Sequence, residues 1–510
     1  VGDPGTIAAW LCPGRPAAQI VVAPGTRQIL PDVRLLAGSV MLREWLEASR
    51  RQKILYFVNS RRRCDDVYLT LRGAPPYEAF VHYSTLTKEQ REYVERSFKS
   101  STQAICVATG TLELGIDIGS IDEIVLVDPP MTVSSFLQRI GRGGRRGPYS
   151  SVVLTPQGPL DLLQFVALLS LAGAAQVEAA PLTHPYSVLV QQIFSFIAGK
   201  RRLNLHIDEL LELFARYSWL DRVSLGLVLE GLVAAGFLRS SASGRLYEVG
   251  PALETLIDRH QIYSNILDAG GGIQVFHHGR LLAQLPLLRS QMGYGNTLLF
   301  AGRYWRITSV TDDGVTVELA KAVPNPIRPN WSSRGSFSAS RLLAQKMRAV
   351  LEGDAGPQLS YLDGACVALL ADLRRGIPGA VAGGVWYERV GDRWTYYTFA
   401  GATENQILGL LFDQAGMPCR PASRAEGVAL IAPHPLDFNA LPRDAGEVEA
   451  TIVTNWRHFA SQVTAGPYFA NLPATLRRHE TVVQIATPET LRVVTSLHGV
   501  LPVSVKLGLL

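Results

Sequence analysis

The sequence predicts an α/β lobe built on a parallel sheet, then a small helical module, then an α+β, β-barrel-like C-terminal domain. Three observations carry this. Short apolar runs alternate with amphipathic stretches over residues 1–180, three helix-like segments and a hairpin crowd into 181–260, and β-rich runs between Gly and Asp turns dominate 261–510. Strand–helix alternation implies a doubly wound layer, since buried parallel strands need cover on both faces.

In chain order, Lys53-Ile-Leu-Tyr-Phe-Val58, Ala104-Ile-Cys-Val-Ala108, Glu123-Ile-Val-Leu-Val-Asp128 and Val152-Val153-Leu154 are the apolar runs read as strands. Thr87-Lys-Glu-Gln90 has the spacing of a capping box and opens a helix on which Val94 and Phe98 share one face. Leu160–Ala175 is an apolar helix, and the boundary after it falls between Pro181 and Pro185. Val188–Ile197, Asp208–Tyr217 and Ser224–Ala235 then read as helices, followed by a hairpin ending at Val249. That content describes a winged helix, a module that either binds nucleic acid or serves as structure. Beyond residue 262, Thr297–Phe300, Tyr304–Ile307, Gly314–Glu318 and Trp394–Phe399 read as strands, with helices at Ser340–Leu351 and Asn405–Leu411.

Composition sets bounds. A chain of 510 residues calls for several domains, and 47% hydrophobic with 18% charged residues is globular. The longest apolar stretches, such as Glu426–Ala432, are too short to span a bilayer, so no membrane partner and a cytoplasmic location are expected. The cysteines at 12, 64, 106, 366 and 419 are scattered, which predicts thiols and no metal site. A net charge of +5 permits a nucleic-acid partner, and clusters such as Arg61-Arg62-Arg63 and Lys200-Arg201-Arg202 are either contacts to it or solvated faces.

The strongest chemical signal is Gln138-Arg-Ile-Gly-Arg-Gly-Gly-Arg-Arg146. Arg139, Arg142 and Arg145 recur every third residue among glycines. Glycine lets backbone approach phosphates, and guanidinium forks bind the charge that develops on a transferring phosphoryl group. A basic surface helix would not want three glycines, each of which weakens a helix by about 1 kcal/mol. Upstream stands Val107-Ala-Thr-Gly-Thr-Leu-Glu-Leu-Gly-Ile-Asp-Ile-Gly119, a strand end followed by Thr109 and Thr111 hydroxyls suited to phosphates.

Together these segments resemble motifs V and VI of superfamily 2 helicases, and Tyr56-Phe-Val-Asn-Ser-Arg61 resembles motif IV of the same second RecA-like lobe. His82–Arg91, Thr111–Asp117, Leu137–Gly141, Pro185–Gln192, Ala301–Ile307, Pro329-Asn-Trp331 and Tyr397–Gly401 are similar to the Lhr (large helicase-related) family, most densely in the motor lobe. Tyr83-Ser84, Gly110 and Arg145 depart from residues common in that family. The resemblance implies an ATP-dependent helicase or translocase on single-stranded DNA, acting in repair. It makes Arg142 and Arg145 arginine fingers, Gly115, Asp117 and Arg139 further nucleotide contacts, and Thr109 and Thr111 phosphate contacts on the nucleic acid. Asn59, Ser60, Arg61 and Thr85 would line the strand channel, although Asn59 and Ser60 also suit a strand-end turn. Trp331, in a Pro-rich loop between Arg328 and Arg334, would stack on a base, whereas Trp305 alternates into a strand and is expected in the core.

No G-x-x-x-x-G-K-[ST] occurs, and Asp122-Glu123 runs straight into a strand rather than forming a Mg-binding box. The opening Val1–Trp10 resembles the stretch that follows the first lobe. ATP and Mg2+ are therefore expected to be bound mainly by a first RecA lobe, in cis or in trans, and residues 1–510 alone are expected not to hydrolyse ATP. Two further readings stay open: a non-catalytic nucleic-acid-binding adaptor from a split or decayed helicase, and an RNA helicase, since motifs V and VI do not distinguish the sugar.

Overall fold

The computed structural model describes residues 4–12, 19–21, 28–36, 38–113, 118–143, 149–178, 184–215, 217, 219–263, 272–311, 314–329, 339–354, 356–378, 384–423, 425–461, 463, 466–503, 507 and 509. After α1 (Pro4–Leu11), the elements are β1 (Gln28–Val33), α2 (Gly38–Ala48), β2 (Lys53–Phe57), α3 (Arg61–Leu71), β3 (Glu78–His82), α4 (Lys88–Ser100), β4 (Ala104–Ala108), β5 (Glu123–Leu126), α5 (Val133–Ile140), β6 (Tyr149–Leu154) and α6 (Pro159–Gly173). The six strands form one sheet in the order β1-β6-β5-β2-β4-β3, parallel throughout. Alternation splits each strand between two cores: Leu55, Phe57, Ile124 and Leu126 pack with Phe98, Phe136 and Ile140, while Ile54, Tyr56, Val58 and Val125 pack with Leu42, Leu46, Val67 and Leu71. This is the expected doubly wound parallel lobe. Thr87 caps α4 by accepting from the Gln90 N–H at 3.3 Å, and Phe98 and Val94 face one core as the capping box predicted.

Next come α7 (Tyr186–Ala198), β7 (Asn204–His206), α8 (Ile207–Leu213), α9 (Arg222–Ala234), β8 (Leu238–Ser240), β9 (Leu246–Val249) and α10 (Pro251–Asp258), with a three-stranded sheet in the order β7-β9-β8. The β-rich remainder forms two five-stranded sheets. One, β11-β10-β14-β13-β12, comprises β10 (Ile273–His277), β11 (Arg280–Leu285), β12 (Thr297–Phe300), β13 (Arg303–Val310) and β14 (Gly314–Leu319). After α11 (Arg341–Leu351) and α12 (Gly364–Gly376), the other is β17-β18-β16-β15-β19, from β15 (Val385–Val390), β16 (Arg393–Tyr397), β17 (Arg420–Pro421), β18 (Ala429–Ala432) and β19 (Val500–Pro502), with α13 (Ala402–Gln414) inserted. Helices α14 (Ala445–Thr454), α15 (Trp456–Phe459), α16 (Ala474–Ile485) and α17 (Pro488–Ser496) precede β19. Trp305 is in the core of the first sheet, stacked on Phe300, with its indole N–H donating to the Phe300 carbonyl at 3.1 Å.

The chain divides into two compact units, residues 1–22, 179–270 and 440–496 in one and 23–178, 271–439 and 497–510 in the other. Glu178 and Ala179 fall in different units, and residues 440–496 group with 179–270 rather than with the rest of 261–510. Tyr468, Leu472 and Leu476 complete the core of the helical module of residues 186–258 beside Phe194 and Leu229. Buried Glu480 accepts from the Ser187 N–H at 3.1 Å and hydroxyl at 2.6 Å, and Gly231 leaves the space that Pro473 occupies. Nothing in residues 440–496 advertises this return, because the partner surface is supplied 200 and more residues earlier.

Within the second unit, the first five-stranded sheet clasps the parallel-sheet lobe through its β12–β13 turn. The Gly302 N–H donates to Asp65 Oδ1 at 2.7 Å, the Ala301 N–H to the Tyr83 hydroxyl at 2.5 Å, and Arg72 Nη1 to the Gly302 carbonyl at 3.3 Å. Gly302 has φ +67°, and a Cβ there would run into the Tyr68 ring, so only glycine fits. Asp65 is 2% exposed. Burial pushes its carboxyl up to about 7, against the opposing pull of the Gly302 N–H, Arg328 and Tyr83. The folded protein thus keeps a proton on Asp65 between the ordinary carboxylate value of 3.8 and about 7, where the unfolded chain has lost it. Stability from this group is highest below that window and declines as pH rises through it. Asp65→Asn keeps an acceptor for Gly302 without a charge to desolvate. Between pH 4.5 and 8, urea unfolding should show a decline steeper in the parent than in the variant by on the order of 3 kcal/mol, buried Glu480, also raised to about 7, contributing equally to both; parallel pH profiles would refute this account of Asp65.

Candidate functional site

Because the strands are parallel, the turns after β2, β4 and β5 gather at one edge of the sheet, where open α/β sheets bind ligands. The turn after β2 is tied to its neighbours through Asn59. Its backbone N–H donates to Asp128 Oδ2 at 2.9 Å and its Nδ2 to the Pro129 carbonyl at 2.8 Å, while its Oδ1 accepts from Arg139 Nη1 at 2.9 Å. Ser60 caps α3, accepting from the Arg63 N–H at 3.1 Å. Asn59 and Ser60 therefore make the hydrogen bonds of a strand-end turn rather than facing a channel.

Arg139, expected among the nucleotide contacts, is instead an internal strut. It is 6% exposed, its Nε binds Glu113 Oε1 at 2.6 Å, and its guanidinium lies 5.5 Å from the Phe57 ring centroid. Glu113 also accepts from Ser135 Oγ at 2.9 Å, so the loop after β4 is fastened to α5 at two points. The opposite end of α5 is held by Thr132, which caps it, and by Glu178, which accepts from the Val133 and Ser134 N–H groups. Sequence reasoning passed over Glu113. The signal was there: a carboxylate between Leu112 and Leu114 needs a cationic partner when it folds inward. Arg142, three residues beyond the strut, is half-buried just past the end of α5, its N–H donating to the Arg139 carbonyl at 3.1 Å. Gly115, Asp117, Arg145 and Trp331 lie outside the described residues.

The two threonines of the loop differ. His82 is fully buried, with Nε2 3.0 Å from Glu95 Oε1 and Nδ1 2.9 Å from Thr111 Oγ1. Burial lowers its pKa, against the pull of Glu95, so at neutral pH the ring is uncharged. The carboxylate can only accept, which puts the ring proton on Nε2 and leaves Nδ1 to accept from the Thr111 hydroxyl. Thr111 thus spends its proton inward. Thr109 Oγ1 makes no hydrogen bond among the described residues, and its backbone N–H is fixed by the His82 carbonyl at 3.3 Å. Arg61 donates to Ser84 Oγ at 2.8 Å, and Thr85 Oγ1 is enclosed without a partner among the described residues. No group of three or more His, Cys, Asp or Glu stands together to hold a metal among the described residues, and no helix there is long and apolar enough to cross a membrane.

A family model described as the helicase conserved C-terminal domain matches residues 38–147. The chain is 38% identical over 128 residues to the Lhr helicase/probable uracil glycosylase of Mycolicibacterium smegmatis, covering 25% of this chain and 8% of that protein. It is 37% identical over 115 residues to the ATP-dependent helicase Lhr-Core of Methanocaldococcus jannaschii, covering 22% and 14%. These matches span less than a fifth of either relative's length. In fold, the chain is similar to a solved structure of the Mycobacterium smegmatis helicase Lhr bound to ssDNA and AMP-PNP, with a TM-score of 0.69 over 99% of this chain and 73% of that one, at 19% identity.

Two outcomes follow from the geometry. Arg139→Ala strands Glu113 in the interior and should destabilise the lobe by roughly 3–5 kcal/mol in urea unfolding, while Arg142→Ala stays within about 1 kcal/mol of the parent. Equal melting of the two variants would show that Arg139 is no strut. Thr111→Val removes the hydroxyl that His82 Nδ1 accepts from and should cost about 1 kcal/mol in urea unfolding, whereas Thr109→Val should not; the reverse ranking would overturn the proton assignment at His82.

Proposed function

We propose that this chain is the second-lobe and C-terminal-domain part of an Lhr-type superfamily 2 helicase, that it works in an ATP-dependent translocase on single-stranded DNA, in repair, and that it supplies the arginine side of the nucleotide site. The observation that carries this reading is the Glu113–Arg139–Asn59 network, which fastens the loop bearing Thr109 to the helix that leads into Arg142 at one edge of the sheet. A loop that touches the strand and a helix that touches ATP must move together if turnover is to move the strand, and a buried ion pair between them does that.

In this reading Arg142 and Arg145 stabilise charge on the phosphoryl group, Gly115 and Asp117 contact the nucleotide, and Thr109 contacts a DNA phosphate. ATP supplies the free energy, and Mg2+ would sit with it on a first lobe, in cis or in trans; among the residues proposed here, the arginines fit the phosphate side and none offers a magnesium cage. The module at 186–258 serves as a winged helix beside the strand, and Trp331 as a stacking residue. The solved relative bound to ssDNA and AMP-PNP supports single-stranded DNA and an adenine nucleotide as the ligands.

In a protein carrying both lobes, Arg142→Ala should lower steady-state ATP turnover by roughly 10³-fold while single-strand affinity changes less than about twofold. Near-normal turnover would remove Arg142 from the nucleotide site. Affinity of the 510-residue chain for a dT oligonucleotide should fall steeply and linearly on a log–log plot against salt, as counterion release requires; a flat plot would count against strand binding by phosphate contacts.

A further inference from the structure

The β15–β16 hairpin and the edge strand β17 line an open cleft of about 570 Å³, within the roughly 300–1,000 Å³ of small-ligand sites. Val390 and Ile431, on the face of the sheet that carries Arg393 and Arg420, supply an apolar floor. Val390 is 49% exposed, an apolar side chain left facing solvent beside a hairpin tip. Arg393 opens β16 and Arg420 opens β17, with β18 running between those strands, so the two arginines flank the floor two strand spacings apart, roughly 10 Å.

Neither guanidinium has an ion pair or hydrogen bond among the described residues, unlike the arginines around them. Arg341 is held by Glu404 and Arg348 by Glu352, both at 2.9 Å, and Arg389 donates to the Gly391 carbonyl at 2.9 Å. The acid on the cleft wall, Asp392, lies 3.9 Å from Arg389. Cys419 lines the wall as a neutral thiol, since burial pushes it up to about 12, and no histidine accompanies it, so neither metal nor nucleophile chemistry is built there. An apolar floor between two uncommitted guanidinium forks is complementary to a flat ring flanked by phosphates.

We propose that this cleft is a nucleotide subsite that takes one phosphate-flanked nucleotide of a single nucleic-acid strand. It rests on the strand-binding reading above and adds a second contact, carried by a sheet other than that of the motor lobe. Arg393 and Arg420 hold the phosphates on either side of a base that lies over Val390 and Ile431.

The test is fluorescence anisotropy of a labelled dT oligonucleotide with the full 510-residue chain across a salt series. Arg393→Gln and Arg420→Gln should each weaken binding roughly three- to tenfold and lower the slope of log K against log salt by about 0.7. Val390→Asp should weaken it comparably. Arg389→Gln, whose guanidinium is already engaged, should leave affinity unchanged, and all four variants should match the parent in urea unfolding. If the parent binds and the cleft variants bind equally well, or if Arg389→Gln weakens binding as much as they do, the subsite is refuted while the strand-binding reading stands. If the parent does not bind the oligonucleotide at all, the strand-binding reading itself has failed. If dTMP alone binds in a manner sensitive to Arg393→Gln while oligonucleotide affinity is not, the cleft is a site for free nucleotide and the strand assignment is wrong.

Discussion

A single buried guanidinium organises one edge of the parallel six-stranded sheet. Arg139 reaches Glu113 with one nitrogen and Asn59 with another while its plane lies near Phe57, so it joins the loop after β4, the turn after β2 and α5 at one point. Lysine would not substitute, because one ammonium has neither the fork nor the flat face these partners require. A charge so enclosed is tolerable only while every partner stays in place. The geometry of three segments therefore rises or falls together.

Around that point the edge is more self-satisfied than a list of polar residues implies. Asn59, Ser60 and Thr111 direct their hydrogen bonds into the lobe, toward Asp128 and Pro129, the start of α3, and His82. Beside them, the Thr109 hydroxyl is left without an internal hydrogen bond among the described residues. Polar residues at strand ends serve first to close the backbone there, and only the remainder can serve recognition.

How much of this could be read from sequence depended on locality. The four central strands were legible because both faces of each are buried, which leaves unbroken apolar runs. β1 and β3, the two sheet edges, were missed as strands: β1 carries Pro31, which an edge strand tolerates, and β3 begins with exposed Glu78. Helix caps at Thr87 and Ser60, and the core fate of Trp305, follow from neighbours in the chain. Arg139's inward turn, the Glu95–His82–Thr111 chain and the return of 440–496 to the helical module of residues 186–258 all depend on partners brought together by folding. The all-round apolar character of α6 has the same origin: it lies between the motor sheet's core and α11, so no side of it faces water for most of its length.

The β12–β13 turn is gripped through main-chain atoms. Asp65, Tyr83 and Arg72 read two N–H groups and a carbonyl, not the side chain of residue 301. Substitution in that hairpin is thus constrained mainly by glycine's left-handed backbone at 302, whereas a one-residue insertion or deletion would slide every main-chain partner out of reach at once. Length, rather than identity, is the conserved quantity this geometry demands: homologous chains that keep the clasp should show a gap-free alignment from Phe300 to Arg303 even where the rest of the sheet has drifted.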